Sequence, residues 1–358
     1  MKATQALHDL GQSLWLDNIT RDLLDSGTLK KYIDELSVTG LTSNPTIFDN
    51  AIAKSKSYDD EIRRLTKTGL SGEPLFFELA VQDLSRAADL FLPIHERTAT
   101  VDGFVSLEVS PLLAYDAKST IAEAKRLYQK ANKPNLFIKI PGTKEGLPAI
   151  EEAIFSGVTV NVTLLFSAAH CMAAADAYMK GLERRVEAGL SPDVRSVASI
   201  FISRWDKAVM DKVSGDLRDK LGVAVGQQAY RDYRAMLDSD RWQRLASMGA
   251  RPQRLLFAST STKDPSASDT LYIGALAAPN TVNTMPDTTL LAFAEHGKLG
   301  GPLSPDGGDC EQVLAAYEKA GISVAGLAAE LQKEGAASFV ESWQDLLRSI
   351  ETKTKALN

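Results

Sequence analysis

The chain is poor in the residues that build covalent or metal frameworks. Two cysteines, Cys171 and Cys310, cannot make the staple pattern of a disulfide scaffold. Four scattered histidines form no cluster with them, so no metal-site spacing is present, and no cofactor motif stands out. No Gly-x-Gly-x-x-Gly follows the first strand pattern, which argues against dinucleotide binding. There is no excess positive charge: the net charge of -6 offers no general attraction to nucleic acid or anionic membrane, so any anion site must be local. No run approaches the ~18 apolar residues of a membrane span. Residues 1–10 lack the apolar core of a secretory signal. The expectation is a cytoplasmic, metal-independent protein without a cofactor, working on small molecules.

What is present is ordinary globular composition, 44% hydrophobic and 24% charged over 358 residues. Short apolar runs alternate with longer amphipathic stretches. Strands are expected at 14–19, 40–43, 104–110, 136–140, 158–166, 197–203, 254–259 and 271–277. Helices are expected at 23–36, 48–67, 73–95, 119–130, 168–187 and 206–221, with Gly222, Gly226 and Gly249 as breaks in the helical stretch up to Pro252. Beyond Pro305 the pattern reads as several helices, from about 306 to 358. Strand–helix alternation with about eight strands favours a closed α/β barrel of the (β/α)8 type over an open doubly wound sheet. With no low-complexity linker, charge block or repeat, residues 1–358 are expected to form one domain, with the C-terminal helices packed on the barrel.

One residue stands out chemically. Lys139 is a lone cation in Asn135-Leu136-Phe137-Ile138-Lys139-Ile140-Pro141, a short branched run closed by Pro141-Gly142. A buried ammonium is costly, and a lysine so placed tends to lose its proton and become a nucleophile toward carbonyl carbon. On this strand alone, an outward lysine that snorkels or pairs with a structural carboxylate is equally compatible. Barrel parity adds information, because side chains of one parity point inward along each strand. It places Asp17, Glu108, Asn161, Thr163 and Ser199 on inner faces with Phe137 and Lys139. A single carboxylate on an apolar strand is ordinarily a partner for a nearby cation. Two that converge on a buried lysine at one end of a barrel favour catalysis.

These residues resemble the transaldolase family. Leu41-Thr42-Ser43-Asn44-Pro45-Thr46-Ile47-Phe48 is similar to that family's strand-two motif. Leu136-Phe137-Ile138-Lys139-Ile140-Pro141-Gly142-Thr143-Lys144-Glu145-Gly146-Leu147 is similar to its Schiff-base motif. The likeness runs from about Leu14 to Asn283. It implies a (β/α)8 barrel and transfer of a dihydroxyacetone unit from sedoheptulose 7-phosphate to glyceraldehyde 3-phosphate, within the pentose phosphate pathway. It also implies roles. Lys139 forms the imine, Glu108 and Thr163 serve its dehydration, and Asp17 takes the C4 hydroxyl proton. Asn44, Asn161 and Ser199 hold the three-carbon unit, and Phe201 lines the pocket. Arg204, Ser259 and Lys263 are the expected phosphate ligands. Here the chain departs from many relatives, which carry an arginine two residues after the serine; Lys263 stands four residues after Ser259, and a lysine lacks the bidentate fork. A fructose-6-phosphate-aldolase-like enzyme and a non-catalytic sugar-phosphate-binding barrel are the alternatives; Glu108 favours transaldolase over the former, whose members tend to carry glutamine there. No nucleic-acid or membrane partner is expected, and the chain is read as a monomer or homodimer.

Overall fold

The computed structural model describes residues 2–213 and 215–357. Eight parallel strands close into a barrel in chain order. They are β1 (Ser13–Asp17), β2 (Val38–Thr42), β3 (Val105–Glu108), β4 (Leu136–Pro141), β5 (Val160–Leu165), β6 (Ser196–Phe201), β7 (Gln253–Ala258) and β8 (Val282–Met285). β8 returns to β1, pairing Leu14 with Asn283 and Trp15 with Thr284. Every residue of β4 and β5 is buried, the polar Lys139, Asn161 and Thr163 included. Their outward residues, such as Ile138, Ile140 and Val162, are fully buried under the helices.

Aromatic rings fill the barrel interior below the polar end. Phe137 stacks on Phe104 with centroids 4.1 Å apart and tilts toward Trp15 at 6.1 Å. β2 makes room for the indole with Gly40, where a Cβ would lie 2.7 Å from Trp15 Nε1 and 2.6 Å from the Phe104 carbonyl. Steps of two along β1 and β4 lead from these rings to Asp17 and Lys139. A dry aromatic floor under a polar upper layer is thus written into strand periodicity.

Several expected elements are redrawn by the structure. The run 271–277 is no strand: Leu271–Ala275 is a short helix, and the eighth strand is Val282–Met285. An apolar run of this length does not separate buried helix from strand, and Val-Asn-Thr-Met is too short and polar to advertise itself. The stretch 23–36 is split at Gly27, which has φ +73°. The stretch 48–67 divides into Pro45–Lys54 and Asp59–Lys67. Gly222 and Gly226 do not break a helix but lie inside Leu221–Leu237. A Cβ at Gly222 would sit 2.7 Å from Asp206 Oδ2, so that glycine permits close approach of the helix start, and Asp206 accepts from its backbone N–H at 3.0 Å. The stretch 206–221 is correspondingly a short helix, Ser203–Val209, followed by a 3-10 turn at Gly215–Leu217.

The C-terminal region comprises Cys310–Lys319 and one 34-residue helix, Val324–Leu357. Trp343 of the latter packs edge-on against Phe76, at 5.1 Å. Thr46 bonds Ser342 at 2.8 Å, and Ser349 bonds Asp49 at 2.6 Å, tying the long helix to Pro45–Lys54. Among the described residues, no helix is long and apolar enough to cross a membrane.

Candidate active site

At the C-terminal ends of the strands lies a cavity of about 220 Å³, lined by Asp17, Asn44, Lys139, Thr163, Ser199 and Phe201, and toward its rim by Arg204, Ser259 and Lys263. A larger cavity of about 420 Å³ opens at the opposite end, beside Ser13, Phe104, Phe137 and Arg254. Its lining pairs the Ser13 hydroxyl with the Asp102 carboxylate but carries no lysine. Functional side chains in such barrels gather at the C-terminal face, so the smaller cavity is the candidate site.

Strand register builds its floor. Glu108 pairs with Lys139 across β3–β4, and Lys139 with Asn161 across β4–β5, which sets three polar side chains in one layer. Lys139 Nζ lies 3.3 Å from Glu108 Oε2 and donates to the Ser43 carbonyl at 3.1 Å. The two side chains are only 7% and 5% exposed, so Lys139 points inward and does not snorkel. Burial pushes the Glu108 carboxyl up to about 6, beyond what the neighbouring ammonium offsets, and the Asp17 charge adds to the rise. Asp17 is raised as well, first by burial, with Lys139 and Thr42 acting in the opposite sense. The pair of carboxylates around one lysine therefore holds protons more readily than free carboxylates do. Glu108 Oε1 and Oε2 and Thr163 Oγ1 are buried without a hydrogen-bond partner among the described residues. Buried groups of this kind are costly unless a ligand or solvent satisfies them.

Local structure explains the other positions. Asn44 caps the helix Pro45–Lys54, its Oδ1 accepting from the Ile47 N–H at 3.1 Å. The turn role is thus real, and the residue also lines the cavity. Asn161 lies beneath the cavity lining: it donates to Ser106 Oγ at 3.1 Å and accepts from Ser199 Oγ at 2.7 Å. These bonds fix its amide and the Ser199 hydroxyl together. Phe201 contacts Phe166 at 5.2 Å while Arg204 lies over its other neighbourhood, 5.4 Å from the ring centroid.

The rim carries the positive charge. Burial lowers the Arg204 pKa, with Glu334 pulling the other way. Lys263 is exposed by surface area, yet enough protein surrounds its amine for desolvation, then Lys207 and Arg204, to lower its pKa. Lys263 Nζ donates to Ser261 Oγ at 2.6 Å. Ser259 adopts φ +55° at the end of β7, and its hydroxyl meets that of Ser203 at 2.9 Å. The turn after β6 and the loop after β7 are thereby stitched at the cationic side of the cavity.

Sequence reading missed six lining residues, Thr42, Ala258, Ser261, Thr284, Pro286 and Phe339, of which three bear on the chemistry. Thr42 Oγ1 donates to Asp17 Oδ1 at 2.7 Å and lies 2.7 Å from Thr284 Oγ1. Thr42 shares the inward parity of Gly40 and was legible; Thr284 belongs to the eighth strand, which was placed elsewhere. Phe339 comes from the C-terminal helix, with Lys139 Nζ 5.7 Å from its ring centroid. No local pattern marks that contact, made across 200 residues of chain.

Comparison with known proteins agrees with this architecture. Residues 14–350 match the family model described as transaldolase/fructose-6-phosphate aldolase. The likeness therefore extends past Asn283 and through most of the long C-terminal helix. The chain is 44% identical over 361 residues to a transaldolase of Thermobifida fusca, covering 98% of each chain. It is 43% identical over 349 residues to a transaldolase of Frankia alni, covering 95% of this chain and 94% of that one. It is likewise 43% identical over 358 residues to a transaldolase of Thiobacillus denitrificans, covering 98% of this chain and all of that one. An inward lysine on the fourth strand of an eight-stranded barrel, and likeness along nearly the whole length, lead to one statement: the chain belongs to the transaldolase family and is a transferase of pentose phosphate metabolism.

Proposed function

We propose that transfer of the dihydroxyacetone unit runs through Lys139 as the covalent carrier, with Glu108 and Asp17 dividing the proton transfers. Lys139 adds to the C2 ketone of a ketose phosphate to form a carbinolamine. Loss of water from that adduct needs a proton relay, and Glu108 beside Nζ, with Thr163 on the neighbouring strand, is placed to hold the relaying water. Asp17 takes the proton of the C4 hydroxyl as the C3–C4 bond breaks and the aldose departs. The iminium accepts the electron pair, leaving an enamine that attacks the acceptor aldehyde, and the same steps in reverse release the new ketose. Asn44 and Ser199 bond the hydroxyls of the held unit, with Asn161 fixing Ser199. Arg204, Ser259 and Lys263 receive the phosphate. The observation that carries this reading is the inward Lys139 within 3.3 Å of Glu108, in the cavity that Asp17 also lines.

The substrates are sugar phosphates such as sedoheptulose 7-phosphate and fructose 6-phosphate, taken without a cofactor. The paired cysteine scarcity and ordinary composition favour a cytoplasmic enzyme, acting as a monomer or homodimer.

Transfer and simple cleavage differ in what becomes of the enamine. Without acceptor, fructose 6-phosphate should release about one equivalent of glyceraldehyde 3-phosphate per active site and then nearly stop, as expected of a ping-pong enzyme. Erythrose 4-phosphate should restart turnover and give sedoheptulose 7-phosphate. Sustained release of free dihydroxyacetone at a comparable rate without acceptor would make the enzyme an aldolase instead.

A further inference from the structure

We infer that Phe339 is a specificity-determining residue that keeps water from the lysine-bound three-carbon unit and so favours transfer over hydrolysis. This rests on the Schiff-base reading above and adds a residue to it from outside the barrel.

The barrel leaves its lysine with mostly polar company. Of the cavity-lining residues, only Phe201, Ala258, Pro286 and Phe339 are apolar. Phe339 is the one supplied by the C-terminal helix. Its ring centroid stands 5.7 Å from Lys139 Nζ and 6.3 Å from the Phe201 ring. The two phenyl groups are neighbours in the lining, and the Phe339 ring lies beside the nitrogen.

The helix is seated to hold that ring in place. β5 breaks register between Val162 and Leu165, and Leu164 takes φ +60°, rare for a branched side chain. Gln332 Nε2 donates to the Leu164 carbonyl at 2.9 Å and to the Gly142 carbonyl at 3.2 Å, at the ends of β5 and β4. Gly335 lets the helix approach this corner, since a Cβ there would lie 3.1 Å from Leu164 Cδ2 and 3.3 Å from Phe166 Cζ. The strands that carry Lys139 and Thr163 therefore also fix the height of Phe339 above them.

The chemistry at stake is balanced by water alone. In the unwanted branch the enamine carbon takes a proton and becomes the iminium again. Water then adds to the iminium carbon and one of its protons passes to nitrogen; as the C–N bond breaks, the hydroxyl proton leaves, giving dihydroxyacetone and the free amine of Lys139 and returning the proton first taken up. An apolar ring beside that nitrogen removes a path by which water reaches the iminium carbon, while an acceptor aldehyde enters from the cationic rim of Arg204 and Lys263.

The test is a partition ratio: dihydroxyacetone released from fructose 6-phosphate without acceptor, divided by transfer to erythrose 4-phosphate, per site trapped by borohydride. Phe339→Ala should raise the ratio by roughly tenfold or more, and Phe339→Leu, which keeps apolar bulk, by less. Gln332→Ala should move it the same way by loosening the helix seat. A ratio equal to the parent's in the Phe339 variants, with borohydride trapping intact, overturns the inference; if the alanine variant does not fold, the leucine variant decides. Absence of trapping in the parent protein would instead overturn the Schiff-base reading itself.

Discussion

The two ends of the substrate cavity are built on different principles. At the lysine end every proposed catalytic group stands on a strand, and the register Glu108–Lys139–Asn161 fixes its position through the backbone ladder. At the proposed phosphate end the groups stand just beyond β6 and β7, on the short helix carrying Arg204 and the loop carrying Ser259, Ser261 and Lys263. The lysine end is buried, and burial is the first cause of the rise at both Asp17 and Glu108. The phosphate end is partly open; burial is again the first cause lowering Arg204 and Lys263, and at Lys263 the neighbouring cations Lys207 and Arg204 add to it. Covalent chemistry tolerates little displacement, so strands suit it. Holding a dianion is a matter of charge and reach, which a loop can supply.

The largest effect expected from this contrast is at Lys139. Lys139→Ala should abolish both transfer and borohydride trapping with fructose 6-phosphate. Peptide mapping of the parent should place the reduced adduct on Lys139. An adduct on Lys144 or Lys133, outside the cavity lining, would put the nucleophile in a different place and dissolve the distinction between the two ends.

Next in size is the division between the carboxylates. General acid–base groups contribute about 10²–10⁴-fold, so losses below about tenfold in either variant would remove it from the proton path. Asp17→Asn should still trap imine while failing to cleave the C3–C4 bond. Glu108→Gln should slow trapping itself. Because Glu108 is raised to about 6, it gains a proton as pH falls through that value and ceases to accept one. Imine formation should therefore decline on the acid side of about pH 6, with an apparent value belonging to the coupled Asp17–Glu108 pair. Glu108→Gln should erase that limb. Persistence of the limb would assign it to Asp17. The same sign governs folding: a carboxyl raised in the folded state favours folding fully below its ordinary range, and that contribution is lost as pH rises through about 6.

The contrast between the ends also explains what was legible in the sequence. Strand parity alone put Asp17, Glu108, Lys139, Asn161, Thr163 and Ser199 on inward faces, because a period of two in a closed barrel leaves no third choice. Thr42 obeys the same rule. Thr284 was lost because β8 is four residues long and was exchanged for an apolar helix ten residues upstream. Phe339 was out of reach for a different reason: a helix periodicity shows which face is apolar, not which distant strand it will meet. The region beyond Pro305 likewise read as several helices; it holds two among the described residues, because Gly326 and Gly335 lie inside Val324–Leu357 without ending it. At the phosphate end the sequence offered residue types but no register, as loops have none.

The smallest effects are expected at that end, and they separate its two cations. Arg204 is the more buried, packs by Phe201 and makes no ion pair among the described residues, so its charge is available to a ligand. Charge-assisted contacts are worth about 1.5–3 kcal/mol, or roughly one to two decades. Arg204→Ala should raise KM for fructose 6-phosphate by that factor and leave unphosphorylated fructose or dihydroxyacetone nearly untouched. Lys263 is exposed and held by Ser261, so solvent screens it. Lys263→Ala should cost under about fivefold, in the range of exposed charge pairs. That loss should shrink further as salt is added, because screening acts on the open cation first. Equal losses for phosphorylated and unphosphorylated donors in Arg204→Ala would mean that Arg204 supports the fold rather than the dianion. A Lys263 effect as large as that of Arg204, and insensitive to salt, would mean that the loop closes over the phosphate and that this end is as buried in the complex as the lysine end already is.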